Sequence, residues 1–242
     1  MKNIGVIGLG DMGSGIALNL IKNGFKVFGS DLLPARQEAF KKMGGSLEIS
    51  ISDIGKKCDA VFVMVMNGNQ AKSIIFDDDG LAKNMAKGST VILSATIKPS
   101  EAEEIGQLIK DTGIEFIDTP VSGGFHGAQS GTLTLMASAS EDVMSKNRDV
   151  LQAISSNIHH VGMEPGQGQT VKACLQSLIG AQFSATFEAA ALAAKAGISG
   201  EVLHTVFSTS SAGCGIVNNA LQKIIDRQFE GTGSHINTMH KD

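Results

Sequence analysis

The segment from Asn3 to Asp31, NIGVIGLGDMGSGIALNLIKNGFKVFGSD, places a glycine-rich turn between a short apolar run and an amphipathic run. Residues 3–7 are apolar and end at a glycine, which is typical of a strand buried on both faces. Residues 12–21 repeat apolar side chains with the period of a helix, and Lys26–Ser30 predicts a second strand. This order predicts the first βαβ unit of a parallel sheet.

The turn has the pattern G-x-G-x-x-G, formed by Gly8, Gly10 and Gly13, with Met12 inside it. Such turns are common, but this one follows a strand, opens a helix and is followed about 20 residues later by an acidic residue, Asp31. Gly8 permits a tight turn, Gly10 lets the backbone approach a pyrophosphate, and Gly13 lets helix and strand pack closely. The pattern predicts a dinucleotide site at the helix N-terminus.

The second strand ends at Asp31, whose carboxylate can accept hydrogen bonds from both hydroxyls of the adenosine ribose. It would repel a 2′-phosphate, and the neighbouring Leu32 offers no cation. We therefore expect NAD rather than NADP. The alternative is a plain strand–turn–helix in which Asp31 only caps the helix.

The rest of the chain divides into two parts. Up to about residue 161, predicted strands alternate with predicted helices, and Ala60–Met66 is the most apolar of the strands. A helix is expected to open at Pro99 and Ser100, with Ser100 as its N-cap and Glu103 completing a capping box. The fold class is therefore α/β, a Rossmann-type doubly wound parallel sheet over residues 1–163. Residues 164–242, which include an alanine-rich run, predict an all-helical second domain.

Composition excludes several classes of function. The 242 residues carry 20 Lys and Arg against 24 Asp and Glu, with no basic block, so nucleic acid is not an expected partner. No apolar stretch approaches the ~20 residues of a membrane helix, so no membrane partner is expected. Three widely spaced cysteines without Cys-x-x-Cys predict neither disulfides nor a zinc site, and no metal is expected. A cytoplasmic location follows.

Two further segments carry candidate chemistry. Ser122, Gly123 and Gly124 follow a predicted strand and offer a hydroxyl and unhindered backbone N–H groups, which suit a carboxylate. Lys172 and Gln176 lie four residues apart and therefore share one helix face. The usual pKa of a lysine, about 10.4, falls toward working pH on partial burial, so Lys172 is a candidate acid/base group.

Together these segments resemble the β-hydroxyacid dehydrogenase family, which includes the 3-hydroxyisobutyrate dehydrogenases. The resemblance rests on GLGDMG at 8–13, DTPVSGGFHGAQSGTLTLMAS at 118–138 and GQGQTVKACLQ at 166–176. It implies that Lys172 is the catalytic acid/base residue and that NAD is the cofactor. The residues that it implies for substrate binding are Ser122, Gly123, Gly124 and Gln176. Those that it implies near the cofactor, beyond the glycine turn and its acidic partner, are Leu32, Val65, Met66, Thr96 and Lys241.

Within the family the chain resembles the L-threonate dehydrogenases in SDLLP at 30–34, SATI at 94–97 and Gln176. This implies oxidation of a small hydroxy acid, with L-threonate to 2-oxo-tetronate as the best prediction. The alternatives are 3-hydroxyisobutyrate oxidation, glyoxylate or succinic semialdehyde reduction, or NAD binding without catalysis. The resemblance also implies a homodimer or homotetramer, and a helical domain that is shorter here than in other members.

Overall fold

The computed structural model describes residues 2–48 and 50–230. It divides the chain into two compact units, Met1–Lys172 and Ala173–Asp242. The division falls inside one long helix, so the domain boundary predicted after residue 163 stays a prediction.

The first unit is built on a mostly parallel sheet. Its strands are β1 (Asn3–Ile7), β2 (Lys26–Ser30), β3 (Ser46–Leu47), β4 (Ala60–Val63), β5 (Thr90–Leu93), β6 (Glu115–Asp118), β7 (Val121–Ser122), β8 (Thr134–Ser138) and β9 (Asn157–Gly162). The order is β3-β2-β1-β4-β5-β6-β8-β7, and β9 pairs with β8. The chain order reverses between β1 and β4, which is where open α/β sheets bind ligands.

The predicted fold class is confirmed, with one qualification at the edge of the sheet. Strands β1 to β6 pair in parallel. Strand β8 is antiparallel to both β6 and β7, and β9 then pairs with β8 in parallel. The alternating pattern had predicted a sheet that is parallel throughout. The sheet instead contains antiparallel pairs, which β8 forms with β6 and β7.

Helices cover both faces of this sheet. They are α1 (Asp11–Lys22), α2 (Pro34–Lys42), α3 (Ile51–Lys57), α4 (Gly68–Phe76), α5 (Leu81–Asn84), α6 (Pro99–Ile109), α7 (Gly124–Ser130), α8 (Glu141–Lys146) and α9 (Arg148–Ile154). Along β4, Phe62 belongs to one apolar core with Ile16 of α1, whereas Val61 belongs to the other with Ile105 of α6. Burial on both faces explains why the central strands are apolar throughout.

Three local predictions were wrong. Helix α6 begins at Pro99 after Lys98, whose backbone N–H donates to the Glu101 carboxylate over 3.0 Å, so Ser100 and Glu103 form no capping box. Strand β4 ends at Val63 rather than Met66. The helix predicted over 141–154 is broken at Asn147.

A buried hydrogen bond accompanies the break at Asn147. Its side-chain amide donates to the Thr90 hydroxyl over 3.0 Å and to the Val143 carbonyl over 2.9 Å. This side chain is almost fully buried, and a buried amide needs its partners. A contact with a residue so distant in sequence leaves no trace in helical periodicity.

The second unit is helical over its described part. Helix α10 (Gln167–Lys195) runs into it and is followed by α11 (Gly200–Thr209) and α12 (Gly215–Ile225). A Cβ on Gly200 would lie 2.8 Å from a side-chain carbon of Ile225, so α11 and α12 pack closely at this glycine. Among residues 2–48 and 50–230, no helix has the length and apolar character needed to span a membrane.

Candidate active site

The glycine turn between β1 and α1 has no room for side chains at two of its three glycines. Gly8 has a φ of +91°, and a Cβ on it would lie 2.1 Å from the carbonyl oxygen of Met64. A Cβ on Gly13 would lie 1.8 Å from the carbonyl oxygen of Gly8. Both positions therefore require glycine, as the pattern predicts.

Gly10 serves a different purpose from the other two. It is the N-cap of α1, and a Cβ on it would meet its nearest atoms, those of the Arg36 guanidinium, only at 3.6 Å. With no side chain there, no capping hydrogen bond covers the first-turn N–H groups of α1, from Asp11 to Gly13. Such N–H groups bind phosphate oxygens, so the turn fits a dinucleotide pyrophosphate, with Met12 in the turn that would hold it.

The Asp31 carboxylate follows β2 and is held by its own backbone surroundings. Its Oδ2 accepts from the N–H of Leu9 over 2.7 Å, and its Oδ1 accepts from the N–H of Leu33 over 2.9 Å. The Asp31 side chain is only 6% exposed, whereas Leu32 is 94% exposed. Asp31 thus joins the glycine turn to the second strand.

A cation that sequence reasoning missed lies beside Asp31. The Arg36 guanidinium is 3.5 Å from Asp31 Oδ2, and the arginine side chain is 46% exposed. The sequence directly after Asp31 pointed only to Leu32, whereas Arg36 is brought back toward Asp31 by the first turn of α2. The helix predicted from Pro34 was the signal that could have found it, because Arg36 lies in the first turn of that helix.

The other predicted cofactor residues follow the carboxyl ends of the neighbouring strands β4 and β5. Val65 is half-buried and packs against the core formed with α3, α4 and α6. Met66 is 59% exposed, and its N–H donates to Gln70 Oε1 over 2.9 Å. Thr96 is half-buried in the loop after β5. Lys241 lies outside the described residues.

The predicted substrate segment leaves β7 and enters α7. Ser122 ends the strand and is half-buried, and Gly123 and Gly124 are exposed. Both glycines have positive φ, +124° and +58°, so both positions favour residues without a side chain. The backbone here is open, as a carboxylate cradle requires.

Lys172 lies in the second turn of α10 and is only 6% exposed. Gln176 follows one turn later on the same helix and is half-buried. A lysine is seldom buried to this extent without a specific role or partner. The burial that the sequence predicted for Lys172 is therefore present.

The start of α10 is fixed by a carboxylate from the sheet, which sequence reasoning also missed. Asp118 ends β6 and is fully buried. Its Oδ2 accepts from the N–H of Gly166 over 2.9 Å and from the N–H of Gln169 over 3.3 Å. The Ser138 hydroxyl donates to the same oxygen over 3.3 Å and accepts from the N–H of Gly168 over 3.2 Å. Burial raises the pKa of Asp118, and these hydrogen bonds partly offset that effect.

In the first unit, the glycine turn, Asp31, Val65 and Thr96 thus all follow the carboxyl ends of parallel strands. Gln169 of α10 contacts the carboxyl ends of two of the strands, since its side chain bonds both to Asp118 after β6 and to the loop after β5 that carries Thr96. Across the described residues, no group of three or more His, Cys, Asp or Glu side chains is arranged to hold a metal ion.

Comparison with known proteins gives two family matches. Residues 3–162 match the NAD binding domain of 6-phosphogluconate dehydrogenase. Residues 166–242 match the NAD-binding domain of NADP-dependent 3-hydroxyisobutyrate dehydrogenase. The first match thus ends at residue 162 and the second begins at residue 166.

Individual relatives differ in the substrate that they are named for. An L-threonate dehydrogenase of Escherichia coli O6:H1 is 34% identical over 94% of this chain and 76% of its own. The NAD-dependent L-serine dehydrogenase of Pseudomonas aeruginosa is 35% identical over 88% of this chain and 71% of its own. The crystal structure of a 3-hydroxyisobutyrate dehydrogenase from Salmonella typhimurium has a TM-score of 0.88 and 32% identity, covering 99% of this chain and 83% of that one.

Proposed function

The chain belongs to the 3-hydroxyisobutyrate dehydrogenase family of NAD-dependent hydroxy acid dehydrogenases, and we propose that its substrate is L-threonate, oxidised at the 2-hydroxyl to 2-oxo-tetronate. An enzyme acting on a CH–OH group, with NAD as cofactor, follows from the family. The threonate assignment is supported by SDLLP at 30–34, SATI at 94–97 and Gln176, together with the 34% identity to the L-threonate dehydrogenase.

The observation that carries the catalytic proposal is the burial of Lys172 in the second turn of α10. A base must be neutral to accept a proton, and burial favours the neutral form of an amine. Lys172 Nζ accepts the proton of the substrate hydroxyl as the C–H bond breaks and the carbonyl forms. In the reverse direction it returns this proton to the oxygen.

Bound NAD supplies the hydride acceptor at its nicotinamide ring. The chain's own residues bind and orient the reactants. The amides at the N-terminus of α1 would hold the pyrophosphate, and Val65, Met66 and Thr96 would lie on the nicotinamide side. The hydroxyl of Ser122 and the backbone N–H groups of Gly123 and Gly124 would bind the substrate carboxylate. Gln176, one turn after Lys172 on α10, is kept as a further proposed substrate-binding residue.

The test is a set of NAD- and NADP-linked assays at 340 nm with L-threonate, D-threonate, L-serine, 3-hydroxyisobutyrate and glycerate. L-Threonate is expected to give the highest kcat/KM with NAD. Lys172→Ala is expected to lower kcat at least 1,000-fold, a loss of about 4 kcal/mol in transition-state stabilisation, while NADH still binds.

Each alternative has its own outcome in the same assays. A higher kcat/KM with L-serine or 3-hydroxyisobutyrate would replace the substrate and leave the mechanism in place. Full activity of Lys172→Ala would remove the mechanism. NADH binding without turnover of any of the five acids would replace both with a non-catalytic NAD-binding role.

The proposal includes self-association and a cytoplasmic location. Helices α10 and α11 expose large apolar side chains, among them Leu192 at 70%, Val202 at 55% and Val206 at 55%. Exposed apolar side chains on one helical unit support a homodimer or homotetramer. Light scattering after gel filtration is expected to give a mass of two or four times 25.2 kDa, and a monomer would contradict it.

A further inference from the structure

The buried side chain of Gln169 connects three segments that are far apart in the sequence. Its Nε2 donates to Asp118 Oδ1 over 2.7 Å and to the carbonyl oxygen of Ala95 over 3.1 Å. Its Oε1 accepts from the N–H of Ile97 over 3.1 Å. Three hydrogen bonds from one amide therefore join the start of α10, the end of β6 and the loop after β5.

Thr96 lies between the two loop residues that Gln169 contacts. The bonds to Ala95 and Ile97 fix the backbone on both sides of Thr96. Lys172 lies three residues after Gln169 on α10, which is about 4.5 Å along the helix axis. One side chain thus controls the spacing between the proposed base and the loop assigned to the nicotinamide.

The N–H groups at the start of α10 donate to a side chain that is distant in the sequence. Gly166, which precedes the helix, has a φ of +93° and no side chain that could cap it. The acceptor comes instead from Asp118, a residue of the sheet. A local cap would satisfy the same N–H groups, but only a remote carboxylate also fixes the helix start relative to the sheet.

We propose that Asp118 and Gln169 are positioning residues, which hold Lys172 in a fixed register with the loop that carries Thr96. The inference rests on the proposed function, because that function gives Lys172 and Thr96 their roles. Neither Asp118 nor Gln169 contacts the reacting atoms in this account. They act through the placement of a base whose displacement by about 1 Å can cost up to 100-fold in rate.

The first variant is Gln169→Glu, which has the same shape but sets a second carboxylate against Asp118 and cannot donate to the Ala95 carbonyl. We expect kcat to fall about 10- to 100-fold with the KM for the hydroxy acid changed less than threefold. The double variant Asp118→Asn/Gln169→Glu restores one amide and one carboxylate at the 2.7 Å contact. The donor to the Ala95 carbonyl stays lost, so we expect kcat to rise about threefold above that of Gln169→Glu without reaching the wild-type value, as coupled residues do in a double-mutant cycle.

The matched control is Thr90→Val, which removes a buried hydrogen bond from Asn147 at the opposite end of β5. It is expected to lower the melting temperature while kcat stays within twofold of wild type. Hydrogen exchange measured by mass spectrometry gives a readout that does not depend on turnover. In Gln169→Glu, peptides covering 95–97 and 166–172 are expected to exchange at least tenfold faster together, and in Thr90→Val they are not.

Several outcomes would overturn the proposal. Wild-type kcat in Gln169→Glu, no recovery in the double variant, or faster exchange in only one of the two segments would each show a role limited to stability. If Gln169→Glu does not fold, Ser138→Ala perturbs the same carboxylate more mildly and is expected to lower kcat about three- to tenfold. Unchanged kcat in Ser138→Ala would then overturn the proposal.

Failure of the proposed function is a separate result. It would appear as full activity of Lys172→Ala or as the absence of turnover in wild type. In the second case the paired exchange of 95–97 and 166–172 still decides whether Gln169 couples the two segments.

Discussion

The backbone N–H of Leu9 donates to the Asp31 carboxylate over 2.7 Å, so the residue at the end of β2 holds the centre of the glycine turn. Leu33 donates to the other carboxylate oxygen over 2.9 Å. A residue expected to recognise the ribose therefore also shapes the turn that is expected to bind the pyrophosphate. Structural and binding roles at Asp31 are coupled.

Asp31→Ala is expected to affect both stability and cofactor binding. The partly buried N–H of Leu9 loses its acceptor, which costs about 1–3 kcal/mol, and the glycine turn loses its anchor. The N–H of Leu33 is exposed and can bind water instead. The free energy of unfolding by urea should fall, and the Kd for NADH, followed by its fluorescence, should rise at least tenfold. Leu108→Ala is the control, because that leucine is 51% exposed on α6 and should leave both quantities within twofold. An unchanged Kd in Asp31→Ala would contradict the assignment.

The glycine turn offers a pair of variants that separate folding from binding. Gly13→Ala places a Cβ 1.8 Å from the Gly8 carbonyl oxygen, so the backbone must shift, and both the melting temperature and NADH binding should fall. Gly10→Ala meets only the flexible end of Arg36 at 3.6 Å, so its melting temperature should stay within about 2 °C of wild type.

NADH binding by Gly10→Ala should nevertheless weaken at least tenfold, because the methyl group would occupy the approach of the pyrophosphate. Thermal melts with and without NADH measure both effects. Normal NADH binding by a folded Gly10→Ala protein would show that the pyrophosphate does not lie against this turn.

The arginine beside Asp31 predicts how the chain discriminates between cofactors. Arg36 is 3.5 Å from Asp31, half-exposed, and able to turn toward a 2′-phosphate. Arg36→Ala leaves the carboxylate without its cation, so NADPH binding should weaken about tenfold while NADH binding changes less than threefold. Arg36→Lys should retain most of the NADPH binding. Equal losses for the two cofactors would assign Arg36 to the turn rather than to the ribose.

Periodicity and motif spacing predicted the parts of this fold that depend on local sequence. The strand–glycine turn–helix at the N-terminus, the central strands and the helical second part follow from apolar patterns that burial on one or two faces imposes. The positive φ of Gly8 and the crowding at Gly13 followed from the motif itself. Features that depend on contacts between distant residues were missed.

Arg36 and Gln169 show why those contacts were missed. Arg36 reaches Asp31 only because α2 begins at Pro34 and turns the guanidinium back. Gln169 contacts residues more than 50 positions away, and its polar side chain in a helix has no signature of burial. The break at Asn147 belongs to the same class, since Thr90 accepts its hydrogen bond. Buried polar pairs are specified by topology, which no local pattern encodes.

The last prediction concerns how stability depends on pH through Asp118. Burial raises the pKa of this carboxyl above its ordinary value of 3.8, so the folded state holds its proton more tightly than the unfolded state. Below pH 3.8 both states are protonated and the folded state has its full advantage. As pH rises, the unfolded state ionises first, and stability is lost until pH passes the folded pKa, above which this contribution is constant.

Asp118→Asn keeps the shape of the side chain and removes the titration, so it isolates this one group. The quantity to follow is the difference in the free energy of unfolding, wild type minus Asp118→Asn. We expect this difference to fall as pH rises from about 3.5, with a slope of at most about 1.4 kcal/mol per pH unit for one proton. Urea unfolding of both proteins at pH 3.5 to 7 measures this difference. If the difference rises with pH instead, the donors from Gly166, Gln169 and Ser138 outweigh burial, and the carboxylate stabilises the start of α10 as an anion.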